Sequence, residues 1–194
     1  MEKIKIIILK IISTVYSYIV LKVNEIEYKE LPFIRGKIYV WNHGQIIFKG
    51  KVIIHSSFKS NSIGMTKPFS IYTHRGGTVI VGHNVGFSGV SIHCRGFIQI
   101  GDNTIIGANS FIWDHDFHEL DYIARLNKSG DIKTLPVMIG NNVFIGEGCR
   151  ILKGVTIGDR SIIGTGSIVT KNIPSDEIWA GNPARFVKKI NRKM

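Results

Sequence analysis

The chain has 194 residues, 44% hydrophobic and 20% charged, the make-up of one folded domain with a substantial core and not of a disordered segment. Its 21 glycines follow no collagen-like period, and its two cysteines, Cys94 and Cys149, form at most one bridge, which excludes a disulfide scaffold and favours a reducing compartment. The net charge of +11 fits either a solvated lysine-rich surface or an anionic partner, but the basic residues are scattered and no aromatic-rich basic motif of a nucleic-acid module occurs.

The first expected element is a helix. Ile6 to Leu21 is almost wholly apolar, yet Lys10, Ser13, Thr14 and Ser17 interrupt it, and a membrane span wants about 20 mostly apolar residues. Lys3, Lys10, Ser17 and Asn24 recur every seven positions and draw one polar stripe. No alanine precedes Ala108, so the small-residue cleavage pattern of a signal peptide is missing. Two readings stand: a helix that flanks the main domain, or an interfacial helix whose lysines meet anionic lipid. The chain divides accordingly into 1–35 (helix and lead-in), 36–176 (main domain) and 177–194 (C-terminal segment and basic tail).

Past Pro32 the texture changes to short β-branched segments punctuated by glycine and asparagine, which predicts strands and turns. Ile139, Ile145, Ile151, Ile157, Ile163 and Val169 lie six residues apart, and Gly140, Gly146, Gly158 and Gly164 directly follow four of them. Four positions after each aliphatic residue stand Val143, Cys149, Val155, Ser161, Ser167 and Ile173, small or β-branched side chains that can share a confined interior. A period of six fits neither a helix nor ordinary hairpins. It fits a chain that winds in coils, each hexad one short strand and one bend, with turn formers such as Gly101-Asp102-Asn103, Gly140-Asn141-Asn142 and Gly158-Asp159 at the corners. The frame recurs at Val81, Phe87, Ile100, Ile106 and Ile112 after a one-residue slip, so the repeat covers roughly 38 to 173.

These hexads resemble the hexapeptide-repeat, or isoleucine-patch, acyltransferase family, and the segment from Val169 to Arg185, with Ile173-Pro174 and Trp179-Ala-Gly-Asn-Pro183, is similar to that family's C-terminal signature. The resemblance runs closest to the sugar and capsular-polysaccharide O-acetyltransferases. It implies an all-β fold, a left-handed parallel β-helix with a short N-terminal helix and an extruded loop around 114–136. It also implies acetyl-CoA as co-substrate with no metal, a sugar or glycan acceptor, and a homotrimer whose active sites lie between protomers; the expected location is the cytoplasm, where the basic surface and N-terminal helix would suit a lipid-linked or acidic glycan at the inner membrane face.

Chemistry is expected where the repeat is interrupted, because a residue at the root of an extruded loop meets solvent while the coils hold it rigid. After Ile112-Trp113 the hexads stop at Asp114-His115-Asp116-Phe117-His118-Glu119 and resume near Val137. A histidine is the natural general base for taking a proton from a sugar hydroxyl as it attacks a thioester. Both His115 and His118 are available, and the resemblance favours His115. Asp114 and Asp116 are candidates to orient the imidazole, and equally to form turns. Trp113 is a candidate wall for a sugar ring. By resemblance Ser88 lies near the acetyl group and Phe144 stacks on substrate. Gly146, Thr165, Thr170 and Lys171 line a coenzyme groove, and Arg185 and Lys188 meet the coenzyme's phosphates.

Other classes are weighed against this reading. An amine acceptor would make the protein an N-acetyltransferase. A zinc carbonic-anhydrase-like site would use His83 and His118, but Ile123 stands where its third histidine is required. A non-catalytic β-helix serving as a binding module is opposed by the Asp114-His115 pair and the C-terminal signature. Cys94 and Cys149 read as small apolar fillers, so transfer is expected to be direct.

Overall fold

The computed structural model of the chain describes residues 2–191, and for residues 2–10 and 13 the backbone only. Lys3 and Lys10 of the polar stripe, and the last three positions of the basic tail, therefore lie outside the described side chains.

The hexads wind into a parallel β-helix with three faces. One sheet stacks Glu27–Tyr28, Gln45–Phe48, Thr78–Val81, Phe97–Ile100, Val137–Ile139 and Thr156–Ile157. The second stacks Phe33–Gly36, Val52–Ser56, Val85–Ser88, Ile105–Ile106, Phe144–Ile145, Ile162–Ile163 and Glu177–Gly181, and ends on the antiparallel strand Ala184–Lys189. The third stacks Tyr39–Asn42, Ser70–Thr73, Ser91–Cys94, Phe111–Trp113, Arg150–Ile151 and Ile168–Val169. Ile139 pairs with Ile157, Ile145 with Ile163 and Ile151 with Val169, so three hexads make one coil and each hexad supplies one face. The coil is itself the long crossover that parallel strands require.

All twelve positions of the two hexad series from 139 to 173 are buried, none more than 2% exposed. Each fully buried isoleucine contributes on the order of 1.5–3 kcal/mol from apolar surface removed from water. Corners are held from coil to coil: the backbone N–H groups of His83, Asp102 and Asn141 donate to the side-chain oxygens of Asp102, Asn141 and Asp159, at 2.7, 2.8 and 2.7 Å. The predicted turn formers thus act between coils as well as within turns. Gly101 belongs to this corner for a second reason, since a Cβ there would lie 2.6 Å from the carbonyl carbon of Gly140. Gly101→Ala is therefore expected to destabilise by about 1–3 kcal/mol through forced separation of two coils. Gly86→Ala, whose Cβ would find its nearest neighbour at 4.0 Å, is the control. Thermal unfolding of the two variants checks this; equal midpoints would refute it.

The N-terminal helix Glu2–Val23 docks through its last turns. Leu21 is fully buried, Ser17 nearly so, and Tyr16 donates its hydroxyl to the Ile38 carbonyl at 3.0 Å. At Ser17 the polar stripe faces the domain, while Ile11, Ile12, Val15, Tyr18 and Ile19 are exposed on the other side. Among the described residues no helix is long and apolar enough to cross a membrane.

Two insertions break the coils. Residues 114–136 leave the third sheet after Phe111–Trp113 and carry a short helix, Tyr122–Asn127, capped by Asp121. Residues 57–69 leave the second coil between Val52–Ser56 and Ser70–Thr73, and they climb the opposite edge of the third sheet, where its strands begin: the Thr66 N–H donates to Asn109 Oδ1 at 2.8 Å.

Candidate active site

Asp114 follows Ile112 on the inward side of the third sheet, one coil above Cys94, and is fully buried. A buried carboxylate survives only if it is satisfied. Its two oxygens accept from the backbone N–H groups of Arg95, Gly96 and Phe97 at 2.8, 2.7 and 2.8 Å, and from His115 Nδ1 at 2.8 Å. Burial pushes this carboxyl up, but the bonds donated by His115 and the backbone outweigh it and hold Asp114 below the usual carboxylate range. In the neutral imidazole a charged Asp114 favours the tautomer with its proton on Nδ1, which places the lone pair on Nε2.

The neck of the extruded loop presents His115. His115 bridges antiparallel to Thr134, the Asp116 N–H donates to the Lys133 carbonyl at 3.0 Å, and the Leu135 N–H donates to the Asp114 carbonyl at 2.8 Å. Lys153 Nζ bonds Asp116 Oδ1 at 2.6 Å and ties this neck to the next coil. Of the two aspartates, Asp114 bonds the imidazole and Asp116 bonds Lys153 of the next coil.

The outward positions of the third sheet form an aromatic ladder. Trp41, Tyr72, His93 and Trp113 occupy one register in successive coils. Tyr72 and His93 stack at 4.6 Å between ring centres, and Trp41 lies 6.4 Å from Tyr72. These side chains, with Ser91, Phe111 and Phe117, line a largely aromatic cavity of about 380 Å³. Phe117 sits 4.8 Å from His115 and 4.9 Å from His93, and with it in place His115 is only 2% exposed. Burial, with His115 and His74 nearby, pushes His93 down to about 4, so this wall of the cavity is neutral.

Lys67, from the 57–69 insertion, packs on Phe111 and Ser91, two of the residues that line the cavity. Its Nζ lies 3.2 Å from the centre of the Phe111 ring, donates to Ser91 Oγ at 2.8 Å and to the Ser110 carbonyl at 3.2 Å. Burial, reinforced by Arg150, lowers its ammonium to about 8. The unfolded chain therefore holds this proton up to about pH 10.5 and the folded chain releases it near 8, so stability rises with pH between these values. Lys67→Met is expected to lack that rise; urea unfolding of both proteins across this window checks it, and parallel curves would refute it.

The other expected site residues are distributed as follows. Trp113 lines the cavity. His118 is exposed on the loop and faces a separate hollow with Glu119 and Arg125. Ser88 accepts from Asn61 Nδ2 at 3.0 Å on the second sheet, and Phe144 is exposed on that sheet; within one chain neither meets His115. Gly146 packs so closely on the next coil that a Cβ would lie 2.6 Å from the Thr165 nitrogen. Thr170 and Lys171 follow Ile168–Val169, exposed, at the edge of the sheet that carries His93, two coils beyond Trp113 and so roughly 10 Å along the axis. Arg185 and Lys188 are exposed on the terminal hairpin. Burial pushes both cysteine thiols up, away from the nucleophilic thiolate. Trp41, Lys67, Tyr72, His74 and His93 are additions that the hexad frame does not single out.

Comparison with known proteins places this architecture. The bacterial transferase hexapeptide (six repeats) pattern matches residues 136–171, and the hexapeptide repeat of succinyl-transferase matches 98–112. The chain is 35% identical over 166 residues to the galactoside O-acetyltransferase of Escherichia coli K12, covering 81% of this chain and 79% of that protein. It is 29% identical to the putative lipopolysaccharide biosynthesis O-acetyl transferase WbbJ of the same organism, over 86% of this chain and 83% of that one. Among solved structures, a galactoside acetyltransferase in complex with coenzyme A superposes with a TM-score of 0.56 and 39% identity over 62% of this chain and 60% of that chain. The acyltransferase AntD of Bacillus cereus, at 22% identity and a TM-score of 0.69 over 91% of this chain and 90% of that chain, shares the fold. With its left-handed coils, its interrupted fourth turn and its buried Asp114–His115 pair, the chain belongs to the hexapeptide-repeat acyltransferase family.

Proposed function

We propose that the protein transfers an acetyl group from acetyl-CoA to a hydroxyl of a glycan or sugar acceptor, with His115 as general base and Asp114 as the group that orients it. The observation that carries this reading is the 2.8 Å contact of Asp114 with His115 Nδ1 at the neck of the loop, beside an aromatic cavity of about 380 Å³. The acceptor lies on the aromatic wall formed by Trp113, Tyr72 and Trp41, where a sugar's apolar face is matched by flat rings, and Phe117 swings aside to admit its hydroxyl. That hydroxyl gives its proton to His115 Nε2, its oxygen attacks the thioester carbonyl, and the tetrahedral intermediate expels the coenzyme thiolate, which takes the proton back from His115.

The coenzyme occupies the groove that ends at Thr170, Lys171, Arg185 and Lys188, and a homotrimer supplies the remaining wall, bringing Ser88, Phe144, Gly146 and Thr165 of one protomer toward His115 of another. The exposed Ile105 and Phe144 on the second sheet are consistent with such a contact. The O-acetyl transfer to galactoside and in lipopolysaccharide biosynthesis named for the Escherichia coli relatives supports the acceptor class, and the coenzyme A of the solved galactoside acetyltransferase complex supports the donor.

The test is calorimetric titration with acetyl-CoA and with dephospho-CoA, followed by mass spectrometry of a panel of glycans and amino sugars incubated with enzyme and acetyl-CoA. Saturable binding that weakens without the 3′-phosphate, and a product ester cleaved by mild base, are expected. No binding at millimolar acetyl-CoA refutes the reading; a base-stable amide reassigns the acceptor to an amine.

A further inference from the structure

Behind His93, which lines the cavity, three imidazoles meet. The ring centres of His74, His93 and His115 form a near-equilateral triangle with sides of 5.3, 5.3 and 5.1 Å, and no pair is stacked, with interplanar angles of 62°, 88° and 43°. Each offers a ring nitrogen, and these atoms lie within 4.8 Å of one another. Three imidazoles binding one tetrahedral metal ion at about 2.0–2.1 Å hold their ring centres about 5.2 Å apart and their nitrogens about 3.4 Å apart. The centres are thus already at the required separation, and the nitrogens need close only from within 4.8 Å to about 3.4 Å.

Two further observations point the same way. Asp114 accepts from His115 Nδ1, the carboxylate–histidine arrangement that fixes the tautomer and raises the basicity of a metal-binding imidazole. The buried Nδ1 of His93 has no hydrogen-bond partner among the described residues. Such a cluster of neutral nitrogen donors, with its one carboxylate already engaged, suits a borderline cation such as Zn²⁺ and not a hard oxygen-seeking one such as Mg²⁺.

We propose that His74, His93 and His115 form a binding site for Zn²⁺, and that an ion there occupies the His115 lone pair and inhibits the transferase. The inhibitory consequence rests on His115 being the base; the binding does not. The ion is an inhibitor and takes no part in acyl transfer.

The test uses Co²⁺ as a spectroscopic stand-in for Zn²⁺, added to the purified full-length protein without coenzyme. One equivalent is expected to bind per chain with the intense visible absorption of tetrahedral Co²⁺, to be displaced by Zn²⁺ and to be unaffected by excess Mg²⁺. His74→Gln, which removes one ligand and leaves the Asp114–His115 pair in place, is expected to weaken binding at least tenfold. His93→Gln, assayed for binding alone, is expected to do the same. Zn²⁺ should inhibit the wild-type enzyme at the concentration that fills the site, and His74→Gln only at tenfold more. Absence of saturable binding at millimolar Co²⁺, equal affinity in wild type and both variants, or equal inhibition of wild type and His74→Gln would each overturn the proposal. Metal binding lost in both variants, in a protein that acetylates no acceptor, would uphold the site and refute the transferase reading instead.

Discussion

His115→Asn is expected to lower kcat by about 10²–10⁴-fold, the usual contribution of a positioned general base, with little change in the affinity for acetyl-CoA. Asparagine fills much of the imidazole's space, so the fall in rate is not confounded by a collapsed cavity at a site only 2% exposed. His118→Ala is the companion variant. Its imidazole is exposed, beside Glu119 and Arg125 and away from the aromatic cavity, so its removal is expected to change kcat by less than a few-fold. Steady-state kinetics on the acceptor identified by the glycan panel decides between them. If His118→Ala loses the activity and His115→Asn retains it, the base is misassigned and the loop, not its neck, carries the chemistry.

The second large effect falls on stability. Asp114→Ala removes the one acceptor for three consecutive backbone N–H groups, those of Arg95, Gly96 and Phe97, and the partner of His115 Nδ1. Donors left buried without an acceptor forfeit their hydration as well as their bonds, and loss of one side of such a network destabilises by about 3–5 kcal/mol. For a chain of this length that corresponds to a drop in the thermal midpoint of roughly 10 °C. Asp114→Asn keeps the shape and part of the acceptor capacity, so it is expected to fall between the two in stability while losing the charge that stabilises the His115 cation. Thermal unfolding and kinetics on the two variants separate the roles. A stable Asp114→Ala protein would show that another group satisfies the corner at 95–97.

Asp114 therefore links fold and function: the same carboxylate closes a corner between coils and holds the imidazole. In sequence it reads as one of two equivalent aspartates flanking His115. Their roles separate only once the strand register is known, because Asp114 continues the inward alternation of Ile112 and Asp116 lies past the neck, within reach of Lys153.

The hexad period by itself determined the coils, their inward residues, the corner turns and the loop whose root carries His115. Those features are local: an isoleucine every six residues specifies one face of a coil whatever the rest of the chain does, and a break in the period marks an extrusion. The packing of His74 and His93 on His115, and of Trp41, Tyr72 and Lys67 along the same sheet beside it, was decided by the tertiary structure. These residues share a site through the stacking of coils of unequal length, two of which carry insertions, and so no constant sequence spacing relates them. The docking of the N-terminal helix was likewise settled by packing, because a repeat of seven places Ser17 on a stripe without saying which side of the helix the β-helix will cover.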